Sequence, residues 1–302
     1  MILKGKNLSI AIPVYNGVET IKKTLDAIVN NKNVEIVISD NCSDDGTKEI
    51  LKVYASNFSN IKINFNPTNI GFDNNLMKCV ELCTTKYVWL LTDDDLIKDN
   101  AVAIVNNIID NNNDEYGLIY VDNLFEYSGI NKSIFGSNPN EFFEYSKFRS
   151  GGMSSNIINR RLWNNINFKI YPKDWPHLVY AIISLTNSNF YIHNESLKSE
   201  INPNKEKRWL KNSNLFNYLF TLKETFDIME NFSIYSNKTI KSSKKVLHKH
   251  ISTAIIISKK QNIKFDLKTL IFIFKYSKKY IIKNLILLIL PKRIYEFIKS
   301  IH

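Results

Sequence analysis

Tyr87-Val88-Trp89-Leu90-Leu91-Thr92-Asp93-Asp94-Asp95 joins an apolar run to a block of three carboxylates with only Thr92 between them. An apolar run of this length reads as a strand buried on both faces. The carboxylates then stand at its carboxyl end, where open α/β sheets bind their ligands. Adjacent negative charges repel one another and favour a hard divalent cation, which in turn suits a diphosphate. A helix N-cap alone needs one such side chain, not three.

Upstream, Ser39-Asp40-Asn41 forms a second acidic corner after the apolar run at 34–38. The chain opens on Leu8-Ser9-Ile10-Ala11-Ile12-Pro13-Val14, a buried strand that a proline terminates. Gly17 marks its turn, and Ile21, Leu25 and Ile28 share one helical face. A helix over about 46–54, a strand at 61–65 and a helix at 72–83 behind Gly71 follow. After the acidic block, Ala101, Ile104, Val105 and Ile108 mark a further helix, and 117–121 a further strand. This alternation predicts an α/β fold: a doubly wound, mainly parallel sheet flanked by helices.

From 126 to 204 the pattern loosens, with short apolar runs near Ile157 and Ile182 and a strand-like stretch at 190–193. Beyond 205 the chain reads as helical, with lysines interleaved among Ile, Leu, Phe and Tyr and one break at Pro291. The expected organisation is an α/β domain over 1–204, divided at about 125 into two halves, and a basic α-helical C-terminal region over 205–302.

Charge follows the same division. Residues 205–302 carry 21 Lys and Arg against 6 Asp and Glu, and residues 1–204 carry 19 against 23. The basic region therefore favours an anionic surface. No nucleic-acid recognition motif accompanies the charge, which argues against that class of partner. Three cysteines, Cys42, Cys79 and Cys83, make no disulfide framework and suit a reducing compartment. Cys79 and Cys83 lack the further ligands of a zinc site and read as packed thiols. The first strand starts too early to leave room for a signal peptide, and the longest apolar run, 285–290, is too short to span a bilayer. The expected location is cytoplasmic.

Four segments in order, Ile12-Pro13-Val14-Tyr15-Asn16, Ser39-Asp40-Asn41-Cys42-Ser43-Asp44-Asp45-Gly46-Thr47, Asn69-Ile70-Gly71 and Leu91-Thr92-Asp93-Asp94-Asp95, resemble the family 2 glycosyltransferases of the GT-A fold, of the bacterial surface-polysaccharide type. The resemblance covers the first 125 residues and fades beyond them. It implies an inverting, metal-dependent enzyme that moves a single sugar from a nucleoside-diphosphate donor, with UDP favoured. The acceptor would be a hydroxyl of a lipid-linked or surface-glycan precursor such as capsule, O-antigen or lipooligosaccharide.

The resemblance also implies residue roles. Pro13, Val14 and Tyr15 would wall the base. Asp40 would accept the N3–H of a uracil or thymine ring, the alternative being an Asx turn with Asn41. Asn69 and Gly71 would complete the donor site ahead of their helix. The family's acidic motif is often Asp-x-Asp, whereas Thr92 stands at the first position here. Asp94 is assigned to Mg²⁺ or Mn²⁺, Asp93 to the ribose or donor sugar, and Asp95 to the cap of a helix beginning near Lys98. The base that deprotonates the acceptor lies, in the family, well beyond the acidic motif and near a helix start. Asp174, in Tyr171-Pro172-Lys173-Asp174-Trp175-Pro176-His177, fits that place, with a helix cap as its alternative role. The family often carries Glu-Asp there, and Lys173-Asp174 departs from it. His177 is a second candidate base or acceptor contact, and Trp175 either stacks on a sugar or packs.

Gly151-Gly152-Met153-Ser154-Ser155 and Arg160-Arg161-Leu162-Trp163 resemble an acceptor-side floor, where an arginine could hold a phosphate. Arg208-Trp209 resembles part of the motif of processive members, but Lys205 replaces its glutamine, which predicts single transfer. In the tail, Lys259-Lys260, Lys278-Lys279 and Lys292-Arg293 alternate with apolar positions such as Ile281, Ile282, Leu285, Ile286, Leu288 and Ile289 around Lys283. This pattern fits an interfacial helix on an anionic membrane surface, or a bundle with a solvated lysine face. Two competing functions remain. A sugar nucleotidyltransferase would need a glycine-rich, arginine-containing loop where Pro13-Val14-Tyr15-Asn16-Gly17 stands. A non-catalytic, membrane-docked assembly subunit would have no use for intact carboxylates.

Overall fold

The computed structural model describes residues 7–111, 115–122, 128–199, 215–260 and 263–276. Arg208-Trp209 and the apolar block around Lys283 lie outside them. The chain divides into two compact units, Met1–Pro203 and Asn204–His302.

The first unit opens with β1 (Leu8–Val14), α1 (Ile21–Ile28), β2 (Glu35–Asp40), α2 (Thr47–Asn57), β3 (Ile61–Phe65), α3 (Phe72–Leu82), β4 (Tyr87–Leu90), α4 (Ala101–Asp110) and β5 (Tyr116–Val121). It continues with β6 (Ile134–Gly136), α5 (Pro139–Tyr145), β7 (Asn156–Asn159), α6 (Arg160–Asn164), α7 (Pro176–Ser184) and β8 (Asn189–His193). All eight strands form one sheet in the order β3-β2-β1-β4-β7-β5-β8-β6. Strands β3, β2, β1 and β4 run parallel, as do β5 and β8. Only β7, between β4 and β5, and the edge strand β6 run antiparallel to their neighbours.

Burial explains the composition of the central strands. Every residue of β1 and β2 is buried, because helices cover both sheet faces, so apolar side chains run on without alternating. Helix α1 buries Ile21, Thr24, Leu25 and Ile28, the spacing of a single stripe. Helix α3 buries Asn75, Leu76, Cys79 and Val80. The Cys79 thiol donates to the Val37 carbonyl at 3.1 Å and that of Cys83 to the Cys79 carbonyl at 3.3 Å. Burial pushes both thiols up, Cys83 to about 12, so they are packing groups without nucleophilic character at neutral pH.

Strand β2 runs on to Asp40, so the acidic corner belongs to the strand itself. The apolar run at Ile157 is an interior strand, β7, while Ile182 sits in helix α7. The second unit contributes α8 (Leu215–Asp227), α9 (Asn237–Lys260) and α10 (Leu267–Tyr276). Among the described residues no helix is long and apolar enough to cross a membrane.

Candidate functional site

Strands β1 and β2 end side by side, with Val14 in register with Asp40. Pro13 and Val14 are buried and Tyr15 is 48% exposed, so the chain passes from core to surface within two residues. Asn16 then turns through φ 49°, its amide donating to Ser43 Oγ at 2.9 Å and its Oδ1 accepting from the Asp44 amide at 3.1 Å. The amides of Gly17 and Val18 donate to Thr47 Oγ1 and Asp45 Oδ2 at 2.9 and 3.0 Å. Burial pushes the Asp45 carboxyl up, but the bonds it accepts from Thr47 and Val18 outweigh this and hold it below the usual range. The loops leaving β1 and β2 are therefore clamped together.

Asp40 is fully buried at that junction. Its Oδ2 accepts from the Ser43 amide at 3.1 Å, closing a local turn three residues on. Its Oδ1 is buried and has no partner among the described residues. A buried carboxylate oxygen left without a donor is costly, and its natural complement is an incoming N–H. The turn uses only Oδ2 and leaves Oδ1 without a donor.

A chain of asparagines braces this corner. Asn75 Nδ2 donates to Ser39 O at 2.8 Å and Val14 O at 3.4 Å, while its Oδ1 accepts from Asn66 at 2.8 Å. Asn41 Nδ2 donates to Asn69 Oδ1 at 2.8 Å, and Asn69 Oδ1 also accepts from the Gly71 amide at 2.9 Å. Asn69 therefore holds the loop that enters α3. Gly71, at φ 83° and ψ 163°, occupies a backbone region essentially reserved for glycine.

Strand β4 delivers the acidic block to the same edge. The Leu91 amide bonds to Ala11 O at 2.9 Å, and the Thr92 amide donates to Ser154 Oγ at 3.0 Å. Trp89 Nε1 donates to Ser154 O at 2.9 Å, fixing the block from the other side. Asp93 Oδ2 accepts from Thr20 Oγ1 at 3.1 Å, and its carbonyl accepts from Thr24 Oγ1 at 2.9 Å. Asp94 and Asp95 are partly exposed. Asp95 is not the helix cap: Asn100 holds that position, because the bridge between Ile97 and Lys198 carries the chain away before α4 begins. Among the described residues no three His, Cys, Asp or Glu side chains group as a metal cage. Mg²⁺ and Mn²⁺ with a diphosphate need only one or two carboxylates, water supplying the rest, and the partly exposed Asp94 fits that donor set.

The second half brings Asp174 and His177. Asp174 sits one residue outside α7, whose N-cap position is held by Trp175 and whose first residue is Pro176, so Asp174 is not the cap. Its φ is 72° and its amide donates to Asp73 Oδ2 at 2.9 Å. Burial, with a smaller contribution from the Asp174 charge, pushes the Asp73 carboxyl up against the lowering effect of that hydrogen bond. His177 is buried, its Nε2 lies 2.7 Å from Gly151 O, and its Nδ1 has no partner among the described residues. Burial lowers the imidazole to about 4 against the opposing bond to Gly151, so Nε2 carries the proton it gives to that carbonyl. The Trp175 ring covers Gly151 closely: an added Cβ there would stand 3.2 Å from Cζ3.

The arginines serve a different place. Arg160 Nε donates to Thr85 O at 2.8 Å, and Arg161 Nη2 lies 3.3 Å from Glu115 Oε1. Both anchor the amino ends of β4 and β5, opposite the acidic block, which removes them as phosphate ligands at that edge. Thr20 and Asn75 brace the same ends of the strands and belong to none of the segments singled out from sequence; Asn75 is a polar residue on the otherwise apolar buried face of α3.

The profile described as Glycosyl transferase family 2 matches residues 9–162. Abequosyltransferase RfbV of Salmonella typhimurium is 29% identical over 206 residues, which cover 60% of this chain and 61% of that protein. The chain thus spans about six tenths of that relative's length. A UDP-Glc:alpha-D-GlcNAc-diphosphoundecaprenol beta-1,3-glucosyltransferase, WfaP of Escherichia coli, is 25% identical over 221 residues, covering 69% of this chain and 84% of that one. The S. aureus TarS 1–349 structure in complex with UDP-GlcNAc superposes with a TM-score of 0.65 at 14% identity, covering 95% of this chain and 82% of that one. Its likeness shows the GT-A fold. With the profile spanning half of the sequence, the chain belongs to glycosyl transferase family 2.

Proposed function

We propose that this protein transfers one sugar, with inversion, from a nucleoside-diphosphate donor to a hydroxyl of a lipid-linked or surface-glycan precursor. The observation that carries the reading is the buried, unpartnered Asp40 Oδ1 at the carboxyl end of β2, the same end of the sheet at which parallel β4 delivers the Asp93 and Asp94 carboxylates. An oxygen that only accepts suits the N3–H of uracil, which makes UDP the favoured nucleotide. The named donors of WfaP and of the TarS complex support UDP, and the diphosphoundecaprenol in the former's name supports a lipid-linked acceptor.

The division of labour follows the two halves of residues 1–204. Pro13, Val14 and Tyr15 line the base, Asn69 and Gly71 shape the wall ahead of α3, and Asp93 faces the ribose or donor sugar. Asp94 would hold Mg²⁺ or Mn²⁺, which neutralises the charge of the departing diphosphate when bound. Asp174 takes the proton from the acceptor hydroxyl, whose oxygen bonds to the anomeric carbon as the bond to the diphosphate oxygen breaks. Attack on the face opposite the leaving group inverts the configuration. His177, buried with its Nε2 bonded to the Gly151 carbonyl, supports the Gly151 turn and is the second candidate for that proton.

The C-terminal region, 205–302, is the proposed membrane-facing appendage, placing the enzyme on the inner face of the cytoplasmic membrane. Helix α10 exposes Leu267, Ile271 and Phe274, spaced to share one face, beside exposed Lys264, Lys268 and Lys275. Sedimentation with vesicles containing phosphatidylglycerol, and not with pure phosphatidylcholine, would support that placement.

The direct test is release of nucleoside diphosphate from a panel of UDP-, dTDP-, CDP- and GDP-sugars with Mn²⁺, beside an Asp94→Ala control. Release from one sugar, abolished by chelator and by the substitution, is expected. Silence together with no nucleotide binding would sink the enzymatic reading and favour a docked, non-catalytic subunit.

A further inference from the structure

We infer that Asp73 is a positioning residue for transfer, holding Asp174 in the conformation in which its carboxylate meets the acceptor. The inference rests on the reading of Asp174 as the base. Three observations carry it. Asp174 sits at φ 72°, a region that residues other than glycine occupy sparingly unless their surroundings impose it. The Asp174 amide donates to Asp73 Oδ2 at 2.9 Å, across 101 residues of sequence. Asp73 in turn belongs to the first turn of α3, the element most firmly tied to the nucleotide corner.

That tie is made by neighbouring residues. Asn75, two positions along, bonds to the carbonyls of Ser39 and Val14, beside Asp40. Asn74 Nδ2 donates to Ile70 O at 2.8 Å, closing the same turn. The frame that receives the nucleotide therefore extends through α3 to Asp73, and from its carboxylate to the Asp174 backbone. Pro172 and Pro176 flank the tethered residue and restrict the backbone on either side of it. A base must stand at a fixed place relative to the anomeric carbon, and the donor is held by one half of the domain while the base lies in the other. Asp73 joins the two at the residue that matters.

The role asks only for an oxygen that accepts a hydrogen bond, not for a charge. Asp73→Asn keeps that oxygen and Asp73→Ala removes it. Three measurements separate the possibilities: amide hydrogen exchange across 171–177, kcat and KM for hydrolysis of the sugar nucleotide that the wild-type protein turns over, and UDP binding by calorimetry. Asp73→Asn should retain exchange protection and a kcat close to wild type. Asp73→Ala should exchange the Asp174 amide at least about tenfold faster and lose about 10²-fold in kcat, the scale of a 1 Å misplacement, with KM and UDP affinity unchanged.

Unchanged exchange in Asp73→Ala overturns the tether, and this arm needs no donor. Faster exchange with unchanged kcat reduces it to a structural contact. Equal loss in Asp73→Asn and Asp73→Ala would make Asp73 a participant in the chemistry instead. Asp174→Asn with undiminished kcat would dismiss Asp174 as the base, and leave the exchange result standing as a distinct finding.

Discussion

A methyl carbon added to Gly17 would stand 2.5 Å from Asp93 Oδ2 and 2.7 Å from Val14 Cγ2. The acidic block after β4 and the turn after β1 therefore occupy the same volume, and only hydrogen at Cα lets them meet. Gly17→Ala should push Asp93 off Thr20. Overpacking of this kind costs about 1–3 kcal/mol, so a lower melting temperature is expected together with a loss of donor hydrolysis. A variant with wild-type turnover would show that Asp93 need not stand where it does.

Asp40→Asn should weaken UDP binding by about 1.5–3 kcal/mol, the range for a hydrogen bond to a charged group. Because the amide also donates, CDP should gain relative to UDP. Calorimetry with the two nucleotides reads the change, and an unaltered ratio would remove Asp40 from the base.

Asp94→Asn tests a coupling rather than an affinity. In the wild-type protein, Mn²⁺ should tighten UDP binding; in the variant, titrations with and without Mn²⁺ should coincide. Retention of the Mn²⁺ effect would place the ion on other groups.

Acid should destabilise the fold through two groups remote from one another. Glu35 accepts from Thr84 N at 2.8 Å and Ser9 Oγ at 2.5 Å and pairs with Lys62. Burial pushes its carboxyl up, but Lys62, Ser9 and Thr84 together hold it below the usual range. A depressed carboxyl stabilises the fold above its unfolded pKa, and that contribution disappears as pH falls through the folded value. Glu35→Gln should therefore be less stable than wild type at pH 7 and equal to it in strong acid. His177 is held at about 4 rather than 6.5, so the unfolded chain takes up its proton first. Stability should fall by about 3 kcal/mol between pH 6.5 and 4 on this account, and His177→Gln should flatten that slope in denaturation curves.

The sequence carried the parallel half of the fold because its strands are buried on both faces and its helices show a single apolar stripe. Ile10, Ile12, Leu25 and Val37 announce their places by spacing alone. Strand β7 was not legible as a strand: Asn156-Ile157-Ile158-Asn159 is four residues long and its polar ends are buried by specific bonds, Asn159 Nδ2 to Glu115 Oε1 at 2.6 Å among them. The acidic corners could be read because their chemistry is local to a few residues. The link from Asp73 to Asp174 could not, since a bond between a side chain and a backbone amide far along the chain leaves no spacing to find.

The antiparallel insertion of β7 has a consequence for the order in which this protein assembles. Strands β1 to β4 can pair as they leave the ribosome, each against one already made. Strand β5 emerges next but touches neither β1 nor β4; its partners, β7 and β8, are synthesised later. The nascent chain must therefore keep the apolar residues of 116–121 from aggregating until Asn159 has appeared, and the acidic block gains its Ser154 contacts at about the same moment. A newborn polypeptide arrested before that point would carry a sheet edge and an orphan strand, which makes this interval the one in which a chaperone has most to protect.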